Sequence, residues 1–233
     1  MGMRESMNVL CVAAHPDDEL LGCGATLRRL KNEGHSIYTC ILCGQVSARH
    51  ARPDLDSLKK VIETAERIIG IDESIKHDYP NIEFNTVPHL DIVQAVEQAI
   101  LKFKPAWVFA HHPGDLNIDH RVCYEATMTA IRLPQRLSQD VPPTMIRRVL
   151  LFEVPSATDW ASPIEPAFQP NTFFDATATI EAKIQALESF AGALKPFPHS
   201  RSSRNVRHLA HLRGAQAGVE SAEAFCLVRD IHV

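Results

Sequence analysis

The stretch Asn8–Gly34, NVLCVAAHPDDELLGCGATLRRLKNEG, decides the architecture. Asn8 to Ala14 is an apolar run without polar alternation, the pattern of a strand covered on both faces. Leu20 to Glu33 then takes up helical spacing and stops at Gly34, a residue suited to a left-handed helix cap. Between strand and helix sits a polar turn, His15 to Glu19. The same alternation continues down the chain. A buried strand is predicted over Ser36–Cys43. A helix follows over Asp54–Ile69, with Leu55, Leu58, Ile62, Ala65 and Ile69 on one face and Gly70 closing it. Further helices are predicted over Leu90–Phe103, His120–Ile131, Thr179–Ala191 and Arg204–Arg213, the last ahead of Gly214. Strands are predicted over Ala106–Ala110, Val149–Val154 and Ala224–Arg229. Alternating strands and helices imply an α/β fold with a mostly parallel sheet and helices on both faces. Such sheets place ligand sites at the carboxyl ends of their strands. The length fits one domain over residues 1–233, in which 134–170, rich in proline (Pro142, Pro143, Pro155, Pro163, Pro166, Pro170), reads as an irregular excursion walling one side of a site.

Composition narrows the function classes. With 45% hydrophobic and 22% charged residues, the chain has the balance of an ordinary soluble enzyme. A net charge of −4 argues against a nucleic-acid surface, which needs a dense basic stripe. The most basic stretch, Arg201 to Arg213, reads as a solvated helix face or as a site for an anionic substrate. No run is long enough for a membrane span: Met7–Ala14 is apolar but meets His15, Asp17, Asp18 and Glu19 at once, which also fails the pattern of a secretory leader. The expected location is cytoplasmic, which suits six cysteines, four of them (Cys11, Cys40, Cys43, Cys226) in apolar strand-like runs. The Cys40-x-x-Cys43 spacing has no second such pair, so it reads as packing rather than as a redox or zinc motif. A homo-oligomer is compatible with the sequence, which carries no signal for an oligomeric state.

Two polar clusters begin just after predicted buried strands: AHPDDE, Ala14 to Glu19, and HHPGDLNIDH, His111 to His120. Alone, each reads as a solvated turn or a helix N-cap, where an aspartate opposes the helix dipole. Together they supply His15, Asp18 and His120 from two strand ends that can adjoin in one sheet. Two imidazoles and a carboxylate, with a fourth position open to water, form a ligand set for catalytic zinc. His120 follows Asp18 by 102 residues, so only folding can bring them together.

The segment HPDDELLGCGATL, from His15 to Leu27, closely resembles the signature of the PIG-L or LmbE-like deacetylases, zinc hydrolases of N-acetylglucosaminyl groups. DLNIDHR, Asp115 to Arg121, resembles that family's second signature, and RGAQAGVESAEAFCLVR, Arg213 to Arg229, its C-terminal end. The resemblance implies a Rossmann-like fold and one zinc ion per chain. It makes His15, Asp18 and His120 the metal ligands, Asp17 the general base, and Asp119 an aspartate that orients a neighbouring group. The implied substrate is an N-acetylated sugar or glycoconjugate. The sequence departs from one common form of the motif at Asn117, where many members carry histidine. Asparagine donates a hydrogen bond to an oxyanion but supplies no proton. That leaves Asp17 as base and acid, with His111 or His112 as the competing acid. Asn81 falls where many members have an aspartate that holds sugar hydroxyls. PFPHSRS, Pro196 to Ser202, resembles a segment near the substrate mouth, which makes His199 and Arg201 candidate substrate contacts. Gly22 and Gly24 are expected to let the first helix approach the sheet closely.

Two other classes compete. A non-catalytic metal-binding module has no need for the spare carboxylate of Asp17. A phospho-receiver-like signalling domain also has an acidic pair after a strand, but it is about half this length and leaves the His120 motif unexplained.

Overall fold

The computed structural model describes residues 6–43, 55–132, 146–190 and 193–232, with side chains from 59 onward in the second stretch. Residues 134–145 of the proline-rich excursion, with Pro142 and Pro143, lie outside the described residues, as do Asp54, Ala191 and the side chains of Leu55 and Leu58.

Seven strands form one sheet: β1 (Asn8–Ala13), β2 (Ser36–Ile41), β3 (Glu73–Lys76), β4 (Trp107–His111), β5 (Arg148–Phe152), β6 (Thr172–Asp175) and β7 (Ala222–Asp230). Their order is β3-β2-β1-β4-β5-β7-β6. The first five are parallel, and β7 runs antiparallel to both β5 and β6. Six helices are present among the described residues: α1 (Asp18–Asn32), α2 (Leu55–Ile69), α3 (His89–Phe103), α4 (Ile118–Ala130), α5 (Ile180–Ser189) and α6 (Ser203–Ala217).

The pleat divides the core. Val9 and Cys11 of β1 face one cluster with Leu20, Leu27, Ile62, Ile184 and Val206, whereas Leu10 and Val12 face another with Ile92, Val96, Ile100 and Cys123. Helices α1, α2, α5 and α6 therefore cover one face and α3 and α4 the other. This explains why β1 is apolar throughout: alternate side chains enter different cores. The sheet reverses its winding between β1 and β4, which are neighbours. The crevice at the carboxyl ends of two such strands is where open α/β sheets bind ligands. Both polar clusters of the sequence open onto it, one after β1 and one at the end of β4.

Three features depart from the sequence reading. Strands β3 and β6, both unpredicted, are the sheet's two edges, short and half-exposed. Helix α6 runs through Gly214 and is capped by Gly218 at φ 76°. Gly214 is there because a Cβ would collide with the backbone carbonyls of Val219 and Glu220. Helix α1 breaks at Cys23, whose φ −144° and ψ 15° are not helical. The close approach expected of Gly22 is found, since a Cβ there would overlap the Phe152 ring of β5. Gly24 is less constrained, with its nearest neighbour, Lys183 Cγ, at 3.4 Å from a Cβ position.

Candidate metal centre and cleft

Asp17, the N-cap of α1, turns the chain at φ 108°, outside the range comfortable for residues with a Cβ. The turn drops Asp18 into the interior (1% exposed) and leaves His15 and Asp17 half-buried at the crevice. From β4, the loop from His112 to Asn117 leads into α4, whose first turn carries Asp119 and His120, both buried. Asn117 Oδ1 caps α4 by accepting the Asp119 N–H at 2.9 Å.

The structure brings His15, Asp18 and His120 together, with ligand atoms of all three within 4.8 Å of one another. Asp18 Oδ2 lies 3.1 Å from His15 Nδ1 and 3.2 Å from His120 Nε2. The far nitrogen of each imidazole rests on a second carboxylate: His15 Nε2 is 2.9 Å from Asp119 Oδ2, and His120 Nδ1 is 3.0 Å from Asp115 Oδ2. These carboxylates are themselves held. Asp119 accepts the backbone N–H groups of Ile82 (2.5 Å) and Phe84 (3.0 Å). Asp115 accepts from the Asn117 N–H (2.8 Å) and the Thr158 hydroxyl (2.9 Å). The charge of a carboxylate behind each histidine favours the proton on that nitrogen, the arrangement metal sites commonly require. Both His120 nitrogens are buried and within ion-pair distance of carboxylates, yet neither has hydrogen-bond alignment. The donor set and the unaligned Nε2 fit a divalent cation held by His15, Asp18 and His120. His111, Asp115 and His120 also cluster, but His111 Nε2 is engaged by the Ala14 N–H at 3.0 Å and both Asp115 oxygens have donors. That second group supports the first.

Charges follow this geometry. Burial pulls the His15 imidazole down, but Asp119 and Asp18 outweigh it and hold the pKa up at about 9. For His120, burial is likewise outweighed by Asp18 and Asp115, giving about 10. Burial pushes the Asp18 carboxyl up, but His120 and His15 dominate and hold it well below the usual range. Burial, reinforced by His120, drives His111 down to about 3. His112 is also lowered by burial, and its Nδ1 accepts the Gly114 N–H at 3.1 Å. At neutral pH both are proton-poor, which disfavours either as the general acid. Burial raises the Glu19 carboxyl to about 8, and its Oε2 accepts the Asp17 N–H at 3.1 Å.

Beside the cluster opens a cleft of about 400 Å³ lined by Asn117, Lys195, His199, Arg201 and the apolar Ile82 and Leu116. Arg201 joins the cleft to the motif: Nη1 lies 3.4 Å from Asp17 Oδ2 while Nε donates to Ser156 Oγ at 2.6 Å. Of the substrate contacts predicted, His199 and Arg201 line the cleft. Asn81 is buried (7% exposed), and it is its neighbour Ile82 that faces the cleft. The sequence reading missed Asp115 and Thr158. Asp115 lies inside the quoted second motif, five residues before His120, but nothing local marks it as that histidine's partner. Cys40 and Cys43 are buried free thiols and belong to no metal-binding group among the described residues.

A doubly covered, mostly parallel sheet with a His/Asp cluster able to hold a cation at its switch point defines a class of α/β protein. The particular family follows from comparison: the model for PIG-L, the GlcNAc-PI de-N-acetylases, matches residues 10–131, and the chain belongs to that deacetylase family. The uncharacterised deacetylase YaiS of Escherichia coli K12 is 31% identical over 147 residues, which cover 59% of this chain and 76% of YaiS. Among solved structures, the N,N'-diacetylchitobiose deacetylase of Pyrococcus horikoshii superposes with a TM-score of 0.74 at 20% identity, over 97% of this chain and 85% of that one. GalB, the 4-carboxy-2-hydroxymuconate hydratase of Pseudomonas putida KT2440, superposes at 0.79 and 18% identity, over 97% and 98% of the two chains. At these identities the structural likenesses establish the fold alone. Family membership removes the phospho-receiver alternative. Among the described residues no helix is long and apolar enough to cross a membrane.

Proposed function

We propose that the chain is a single-domain, zinc-dependent amidase that removes an acetyl group from an amide nitrogen of an amino-sugar-containing small molecule. The observation that carries this reading is the paired arrangement of His15–Asp119 and His120–Asp115 around Asp18, with the adjacent Asp17 paired to the cleft residue Arg201. His15, Asp18 and His120 would hold one zinc ion. When bound, zinc supplies Lewis acidity, lowering the pKa of water to roughly 7 and polarising a carbonyl.

The remaining work falls to the chain's own side chains. Asp17 and Asp18 are adjacent, so their carboxylates face different ways: Asp18 inward to the two histidines, Asp17 to Arg201 at the cleft. Asp17 takes a proton from the attacking water and returns it to the nitrogen as the C–N bond breaks, so water and amide become acetate and amine. The Arg201 guanidinium keeps the Asp17 carboxylate turned toward the cleft. Asn117 has its oxygen committed to Asp119, which leaves its NH₂ group as a neutral donor to the oxyanion that forms on the carbonyl. His199 and Arg201 contact the sugar, with Asn81 bracing the wall behind Ile82.

The test is acetate release from a panel of N-acetyl sugars and nucleotide sugars, with and without chelator. Asp17→Asn should keep zinc and lose turnover by about a hundredfold or more, the scale of a missing general base. Zinc loss in that variant, with normal turnover on reconstitution, would reverse the roles of Asp17 and Asp18. A hydratase shares this fold, so one second reading is that the same water adds to a carbon–carbon double bond of a carboxylated substrate. Consumption of an unsaturated hydroxy acid, with no acetate from any sugar, would select it.

A further inference from the structure

Outside the cleft lining, one buried ion pair has no place in the scheme above. Lys183 of α5 and Glu223 of β7 have side chains 6% and 5% exposed and meet at 2.7 Å. Both also reach α1. Lys183 Nζ donates to the Leu21 carbonyl at 2.7 Å. Glu223 accepts the Ala25 N–H at 3.2 Å on Oε1 and the Thr26 N–H at 2.6 Å on Oε2. In a regular α-helix the Ala25 N–H donates to the Leu21 carbonyl, four residues back. Here the donor points to Glu223 and the acceptor to Lys183, on the two sides of the break at Cys23. Beyond the break, α1 has a second N-terminus inside the protein, and a carboxylate suits its amide groups and dipole. Before the break remains a short first segment, Asp18 to Gly22, which carries Asp18 and follows directly on Asp17.

The break also touches the candidate metal centre from the other side. Gly22 lies against the Phe152 ring, Phe152 packs on His111 with centroids 4.7 Å apart, and His111 stacks on His120 at 4.1 Å. Helical dihedrals at Cys23 would straighten α1, swing its first turn relative to β1 and move Asp18 away from His120. We infer that Lys183 and Glu223 are positioning residues: a buried ammonium–carboxylate splint that stands in for one helical hydrogen bond and holds the first turn of α1 where Asp18 meets His15 and His120. The inference rests on the reading of these three residues as zinc ligands.

Buried ion pairs contribute little to stability, and replacing both partners together by neutral side chains is often harmless. Stability and site geometry should therefore separate. The test is the double variant Lys183→Met/Glu223→Gln, which is close in shape and uncharged; its amide oxygen keeps an acceptor for Thr26, while its NH₂ takes the place of Oε1. Its Tm should fall only modestly, because the Ala25 amide and the Leu21 carbonyl lose their partners while no charge is left buried and unpaired. Zinc affinity, by competition with a chelator, should fall about ten- to hundredfold, the range for disturbing an outer-shell partner. At saturating zinc, kcat should fall about as much while KM changes little, because the cleft residues are untouched. Lys183→Arg, which keeps the cation, should recover most of both. A folded double variant with parental zinc affinity and kcat overturns the inference. If the double variant does not fold, Glu223→Asp, which keeps the charge pair but shortens its reach to the Ala25 and Thr26 amides, is read for the same quantities, and unchanged values again overturn it. A parent protein that takes up no zinc defeats the metal reading, and this inference with it, before either variant is measured.

Discussion

Replacing Asp115 by Asn tests whether the carboxylates behind the histidines govern the candidate metal site. The environment of Asp115 dictates how an amide must sit there. Oδ1 receives the backbone N–H of Asn117, a donor that cannot reverse, so the amide oxygen of the variant must stay at that position. Its NH₂ then occupies the place of Oδ2, 3.0 Å from His120 Nδ1. Facing a donor, Nδ1 must accept, and the imidazole proton moves to Nε2, the atom 3.2 Å from Asp18 that would bind zinc. The wrong tautomer has to be reversed before the metal is ligated. Loss of such a partner lowers metal affinity about ten- to hundredfold, which is about 1.4 to 2.7 kcal/mol. The Thr158 hydroxyl also loses its acceptor, a stability cost of about 1 kcal/mol. The assay is chelator competition for zinc at pH 7.5, with thermal denaturation of the zinc-free protein as the control for folding. A folded Asp115→Asn variant whose zinc affinity lies within about twofold of the parent would refute the reasoning.

Four further outcomes are expected. Zinc uptake must displace protons from His15 and His120, held at about 9 and about 10 without metal; affinity should therefore rise with pH toward 9, by up to about a hundredfold per unit for two displaced protons, and equal affinities at pH 6.5 and 8.5 would contradict it. In the zinc-free protein these raised pKa values stabilise the fold below the ordinary value of 6.5, and that stability should be lost as pH climbs through 9 to 10, visible as a falling Tm. Gly22→Ala should destabilise by about 1–3 kcal/mol through overlap with Phe152, whereas Gly24→Ala should be nearly neutral; equal Tm values for the two variants would dismiss the close-approach argument. Asn117→Ala should lower turnover roughly ten- to a thousandfold and cost about 1 kcal/mol as a lost N-cap, with zinc affinity nearly unchanged in the same chelator assay.

Local sequence determined much of this molecule. The apolar run of β1 could only be a strand covered twice, and the periodicity of α2 and α3 located them to within a residue or so where the structure describes them. HPDDE and NIDH supplied the candidate ligand types, two imidazoles and a carboxylate, and placed a second carboxylate, Asp17, next to Asp18. Strands β3 and β6 escaped because edge strands bury little and so need no apolar run. Periodicity reports only which face of a segment meets the core; it is silent on which other segment lies there. The tertiary structure decided the rest through the strand order, which sets β1 beside β4 and so brings His120 to Asp18 across 102 residues. It also turned Asp115 from one acid in a polar loop into the partner of His120, set Arg201 against Asp17 across 184 residues, and joined Lys183 to Glu223 over the break in α1. A carboxylate or a guanidinium takes its role from what it faces once buried, and which groups face each other is a property of the packed sheet and helices, not of neighbouring residues in the chain.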